Sequence, residues 1–239
     1  MSSSIRLRET HAAMGGALGI QSAQGVRQEM SVKSAVFEVI ETLRKKYPTI
    51  QFTHEKTLDL EEVCIVQNQL CEEFGVELDC KDSLIRPDGG FVFAKFNGVT
   101  KLVLSCEAKR QGTNDALARE GKPKQSAGNA IERMPKNYHV ICKFMDLEPY
   151  LPYVVFASGC DLKKGSSIRD RIASTYNYSL PNKIYVRNVL PETRNIQRLS
   201  MFVREKHWPT NEVYDICLKV AEEALDVVFS IYGRNDIAA

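Results

Sequence analysis

A two-residue step, Asn97-Gly98, set between Phe91–Ala94 and a run from Leu102 to Lys109, constrains this chain more than any other feature. Both residues tolerate positive φ, so Asn-Gly between β-rich stretches predicts a hairpin closed by a type I′ turn. With such a turn, facing residues sum to 195. Asp88 and Glu107 then face each other across the hairpin. Lys109 follows two residues after Glu107 and shares its side of the strand. The other side carries Leu102, Leu104, Cys106 and Ala108, which suits a core. Gly89-Gly90 is the point where a bulge would shift this register by one residue.

Two facing carboxylates repel unless a positive charge lies between them. Mg²⁺ bound by one or two carboxylates answers that need, and Lys109 as partner in a surface charge cluster is the plainer alternative.

The remaining elements alternate. Ser31 is placed to cap a helix with Val32, Ala35, Val36, Val39, Ile40 and Leu43 on one face, stopped by Pro48. Ile50–Thr53 reads as a strand, and a helix follows over about 59–74. After the hairpin, 113–125 is polar and aperiodic, the pattern of a functional loop. A helix is expected from about Glu132 to Met145, with Pro135 in its first turn. Tyr153–Ser158 is unbroken apolar and reads as a strand buried on both faces. Lys183–Val189 is expected as another strand. The last helix is expected over 211–232, capped by Thr210 and ended by Gly233, with Val213, Ile216, Val220, Ala224, Val227 and Ile231 inward. The class is α/β, a mixed central sheet flanked by helices. Residues 1–30 read as a flexible arm and 31–239 as one domain.

Charge matters only locally. The chain totals +2, but 163–206 holds ten Lys/Arg against three Asp/Glu. That segment fits a nucleic-acid face or a solvated charge run. Seven cysteines with no CxxC pair read as reduced thiols. No signal peptide or membrane-length apolar run is present, so the expectation is a soluble, cytoplasmic protein with no membrane association. The four histidines fit no triad, and Trp208 reads as core.

Arg86-Pro87-Asp88-Gly89-Gly90 followed by Cys106-Glu107-Ala108-Lys109 resembles the Pro-Asp…Glu-x-Lys nuclease signature. Gly128-Asn129-Ala130-Ile131-Glu132-Arg133 is more specific, and its place after the Glu-x-Lys strand resembles the EcoRI-type restriction endonucleases. Tyr47-Pro48, Leu151-Pro152-Tyr153-Val154-Val155-Phe156 and the Trp208 lead-in to the last helix extend the likeness from about residue 15 onward. The resemblance implies a restriction-endonuclease-like fold and a homodimer that cuts palindromic double-stranded DNA with Mg²⁺. The products would carry 5′-phosphate ends, and a cognate DNA methyltransferase would belong to the same system. On this sequence it implies that Asp88, Glu107 and the Ala108 carbonyl hold the metal, with Lys109 beside the attacking water. Phosphodiester hydrolysis needs charge neutralisation and an in-line nucleophile, and a hard cation with a nearby ammonium supplies both.

The same resemblance gives base reading to Asn129 and Arg133, Asn being able to pair bidentately with adenine. Glu132 would orient Arg133, Ala130 would lie near the base edges, and Gln111 would contact inner pyrimidines. An N-cap role for Asn129 and an exposed ion pair for Glu132 and Arg133 are the plainer readings. Arg110, Arg169 and Arg171 are possible DNA contacts, to phosphate or to guanine. The implied core is AATT. Relatives reading CAATTG carry an arginine where this chain has Ala127, which favours GAATTC, although Lys109-Arg110-Gln111 leans the other way. Two competing readings are a less specific repair or recombination nuclease and a catalytically silent sequence-specific DNA-binding dimer.

Overall fold

The computed structural model describes residues 17–70, 84–112, 121, 134–145, 148–187 and 198–233. Helix α1, Ala17–Lys46, leads into strand β1, Gln51–Glu55. Strands β2 (Leu58–Asp59) and β3 (Leu84–Ile85) pair apart from the main sheet, with helix α2, Glu61–Leu70, between them in sequence. The hairpin strands are β4, Phe91–Phe96, and β5, Val99–Arg110. Helix α3, Met134–Phe144, precedes strand β6, Tyr153–Ser158. A short helix α4 (Ser167–Asp170), strand β7 (Ser179–Pro181) and strand β8 (Leu199–Arg204) come next. Helix α5, Thr210–Tyr232, is the last element.

Six strands form one sheet in the order β1-β4-β5-β6-β8-β7. The β1, β4 and β5 pairings are antiparallel, whereas β5–β6, β6–β8 and β7–β8 are parallel. The expected mixed sheet is therefore present. Strand β5 is the seam between its two halves.

Helices α1 and α5 cover one face and α3 the other. Cys106 meets Cys217 of α5 at 3.7 Å between sulfurs, while the next residue, Glu107, meets Asn137 of α3. Adjacent strand residues point to opposite faces, so these contacts fix the layering. α1 and α5 are joined by Thr42 and Tyr214 at 2.9 Å, and just past the end of α1 Tyr47 packs edge-on against Phe229. Every residue of β6 is buried, as a strand covered on both faces requires. Cys64, Cys106 and Cys217 are buried free thiols. Among the described residues no helix is long and apolar enough to cross a membrane.

Several expectations need correction. Helix α1 runs through Ser31, so the boundary drawn between residues 30 and 31 falls inside a continuous helix. Ser31 hydrogen-bonds with His207 at 3.1 Å instead of capping. Residues 183–187 form only isolated bridges, Lys183 to Met201 and Tyr150 to Arg187, and the strand in this region is β8. Thr210 is the first residue of α5, which starts after Pro209 without a side-chain cap. Ile231 is exposed, and Cys217, Ala221, Leu225 and Val228 help fill the inward face.

Candidate active site

The turn at Asn97-Gly98 has both residues at positive φ, 47° and 76°, as a type I′ turn needs. Facing pairs sum to 195 from Phe96–Val99 down to Phe93–Leu102. The register then shifts, and Val92 faces Leu104 and Phe91 faces Ser105. Val103 is the extra residue of a bulge. The bulge lies on the second strand, not at Gly89-Gly90, and it moves Asp88 opposite Ala108 rather than Glu107.

Asp88 lies in a turn just before the start of β4, closed by the Gly90 amide donating to the Pro87 carbonyl at 3.0 Å. Asp88 Oδ2 accepts from the Ala108 amide at 2.9 Å, and the Gly89 amide donates to the Cys106 carbonyl at 2.8 Å. His54 Nε2 donates to the Gly89 carbonyl at 2.9 Å and braces the turn from β1. Burial pushes the Asp88 carboxyl up to about 6. The Ala108 amide and Lys109 oppose the shift, while the Glu107 and Glu29 carboxylates add to it. The two acids thus still repel each other, although strand pairing does not set them face to face.

Glu107 is only 3% exposed. Its Oε1 accepts from Lys109 Nζ, and its Oε2 accepts from the Tyr153 hydroxyl and, at 2.9 Å, from Asn137 Nδ2. Burial first, then the Glu107 charge, holds the Tyr153 phenol well above its ordinary range, so it remains a donor. Asp88, Glu107 and Lys109 therefore meet where β5 runs on past the end of β4.

The sequence model described as restriction endonuclease EcoRI matches residues 14–169. The chain belongs to the EcoRI restriction endonuclease family. It is similar to the type II restriction enzyme EcoRI of Escherichia coli, 32% identical over 165 residues, and this match covers 65% of the chain and 60% of that relative. It is also similar to the type II restriction enzyme RsrI of Cereibacter sphaeroides, 26% identical over 255 residues and 92% of each chain.

Within this family member, the remaining residues singled out from sequence are scattered in environment. Gln111 is buried, its amide 3.4 Å from Asp161 Oδ2 and its backbone N–H on the Ser158 carbonyl. Arg110 donates to Gln24 of α1 and points to the face opposite Lys109. Arg169 and Arg171 are exposed on the segment after β6. Asn129, Ala130, Glu132 and Arg133 lie outside the described residues, as does the 113–125 loop apart from Gly121. Sequence reasoning missed Asn137, Tyr153, His54 and Glu29. A tyrosine inside an unbroken apolar strand was the available signal, because a buried hydroxyl needs a partner.

Proposed function

We propose that this chain is a Mg²⁺-dependent type II restriction endonuclease, acting as a homodimer on double-stranded DNA. Its site would be a palindrome with an AATT core, GAATTC favoured, cut to leave 5′-phosphate ends, and a cognate methyltransferase would protect that sequence. The observation that carries this reading is the meeting of two repelling carboxylates and an ammonium at the open end of β5.

The residues present fit Mg²⁺. Asp88 is half-buried, raised in pKa, and uses only Oδ2 within the protein among the described residues. Ala108 directs its N–H toward Asp88, and a strand residue's N–H and C=O point to the same edge, so its carbonyl opens that way too. Asp88, Glu107 and the Ala108 carbonyl make a hard oxygen set of the kind Mg²⁺ takes. When bound, the cation neutralises charge on the phosphate and acidifies a water. Lys109 holds Glu107 and places an ammonium where the nucleophilic water and phosphate oxygens would gather. Burial of Glu107 beneath α3 keeps its carboxylate in one orientation.

Base reading falls to Asn129 and Arg133, with Glu132 and Ala130 beside them, in the segment that leads into α3. Gln111 reaches inner pyrimidines only by leaving Asp161. Arg169 and Arg171, exposed in the basic stretch, suit phosphate contacts, and Arg110 reaches DNA only by leaving Gln24.

Digestion of a fully sequenced plasmid with Mg²⁺, followed by mapping of the ends, tests this reading. Discrete ends at AATT-centred palindromes are expected, and a smear or intact DNA overturns it. Glu107→Ala should abolish cutting while specific binding persists. Undiminished cutting by that variant would remove Glu107 from the mechanism.

A further inference from the structure

Glu107 has few lone pairs left to give. An ionised carboxylate offers about four acceptor sites, two on each oxygen. Lys109 Nζ donates to Oε1, while the Tyr153 hydroxyl and, at 2.9 Å, Asn137 Nδ2 both donate to Oε2. Oε2 is thus saturated by two neutral donors, and Oε1 keeps one open site. Burial of the side chain to 3% exposure holds that arrangement.

The sheet itself delivers the Tyr153 hydroxyl. Tyr153 lies on β6 opposite Ser105 and so diagonal to Glu107 on the same face. Directly opposite Glu107 stands Val155, which carries no side-chain donor. Strand side chains lean along the strand, and Ser105 is small enough for the Tyr153 ring to lean past it. Tyr153 and Ser105 are both fully buried, yet the Ser105 hydroxyl has no hydrogen-bond partner among the described residues. Of these two polar residues beside Glu107, only Tyr153 holds the carboxylate.

Hard cations differ in how many oxygens they ask of a carboxylate. Mg²⁺ demands near-ideal octahedral geometry at about 2.0–2.1 Å, whereas Ca²⁺ takes about 6–8 oxygens at longer range and accepts both oxygens of one carboxylate. We infer that Tyr153 is a positioning residue that sets cation choice: by occupying Oε2 it restricts Glu107 to one oxygen, which favours Mg²⁺ over Ca²⁺. This rests on the function proposed above. Asn137 takes the second lone pair of Oε2 and works in the same direction.

The test titrates DNA-free, full-length protein with Mg²⁺ and with Ca²⁺ and reads apparent affinity from the rise in Tm. The response that survives in Asp88→Asn is subtracted as binding elsewhere. Tyr153→Phe should weaken Mg²⁺ by about tenfold or more, the effect of losing an outer partner of a metal ligand. Ca²⁺ should hold or tighten, because the freed lone pair of Oε2 gives it a second oxygen. The ratio of the two affinities should therefore move toward Ca²⁺ by about tenfold. Asn137→Ala, at a half-buried helix position, should move the ratio the same way and keeps the test open if Tyr153→Phe folds poorly. Ser105→Ala removes a hydroxyl from the same buried face without touching Glu107 and should leave the ratio unchanged. Equal weakening of both cations in Tyr153→Phe and Asn137→Ala overturns the inference, as does a shift in Ser105→Ala as large as theirs. In either case a parent that binds Mg²⁺ and cuts at discrete sites would leave the proposed function standing. A parent with no cation response and no cutting would overturn both.

Discussion

Asp88 is held in a place that suits a ligand better than it suits a fold. Its ordinary value is 3.8, and burial, with Glu107 and Glu29 nearby, raises it to about 6 in the folded chain. A carboxyl raised on folding contributes stability that is fully present below its unfolded value and is lost as pH rises through its folded value. Above about pH 6 the ionised Asp88 thus costs folding free energy. Asp88→Asn keeps an acceptor for the Ala108 amide and removes the charge. With EDTA present at pH 8, this variant should be more stable by about 1–3 kcal/mol, from a difference of roughly two pKa units. The corresponding rise in Tm is about 2–4 °C per kcal/mol for a chain of this size. At pH 4 the gain should shrink, because the parent carboxyl is then protonated when folded and close to half protonated when unfolded, so little of the cost of ionising it in the fold remains. Paired calorimetric scans at the two pH values decide the point, and a gain larger at pH 4 would contradict the assignment. The same variant should lose Mg²⁺ binding, the usual exchange of stability for function at a site that concentrates like charge.

The hairpin shows how one element carries the site and how far its sequence reveals it. Gly90 has φ +69°, and a Cβ there would come within 2.5 Å of the Glu55 carbonyl and 2.7 Å of His54 Nε2. Gly90→Ala should destabilise the fold by roughly 2–4 kcal/mol, from a left-handed residue forced against backbone. It should also loosen the Asp88 turn that His54 braces. Urea unfolding checks the first effect and Mg²⁺ calorimetry the second; unchanged values in both would mean the turn absorbs the methyl group freely. The type I′ turn, the sharing of one face by Glu107 and Lys109, and the doubly buried β6 were all legible, since each depends on local geometry and alternation. The Val103 bulge was not. Leu102-Val103-Leu104 is apolar throughout, and no change of pattern marks which residue is extra. Ser31 resembles a cap by type, yet its hydroxyl answers His207, 176 residues away. Ile184-Tyr185-Val186 and Met201-Phe202-Val203 have equal strand character. Which of them joins β6 is decided by long-range pairing that neither stretch displays.

At the scale of the whole molecule, the amino-terminal helix is part of the sheet's packing rather than an appendage. Gln28 of α1 is 1% exposed. Its Oε1 accepts from the Ser158 hydroxyl at 3.0 Å and from the Trp208 amide at 3.1 Å, and its Nε2 lies 3.4 Å from the Trp208 carbonyl. One side chain therefore joins α1, the end of β6 and the lead-in to α5. Trp208 is the chain's single tryptophan, with its indole N–H on the Ala157 carbonyl and the Arg204 guanidinium 3.7 Å above its ring. Gln28→Ala strips buried polar groups of partners, each loss costing about 1–3 kcal/mol if left unsatisfied. Water can enter the space that is freed, so the total should be roughly 2–4 kcal/mol rather than the full sum. Trp208 emission then reports on the junction itself, while far-UV circular dichroism reports on the helices and sheet. If α1 and the sheet form one cooperative unit, both signals in Gln28→Ala should move to lower denaturant together, with one midpoint and an unchanged slope. A Trp208 transition preceding the circular dichroism transition would instead mean that α1 and the Trp208 segment detach first, leaving the sheet folded behind them.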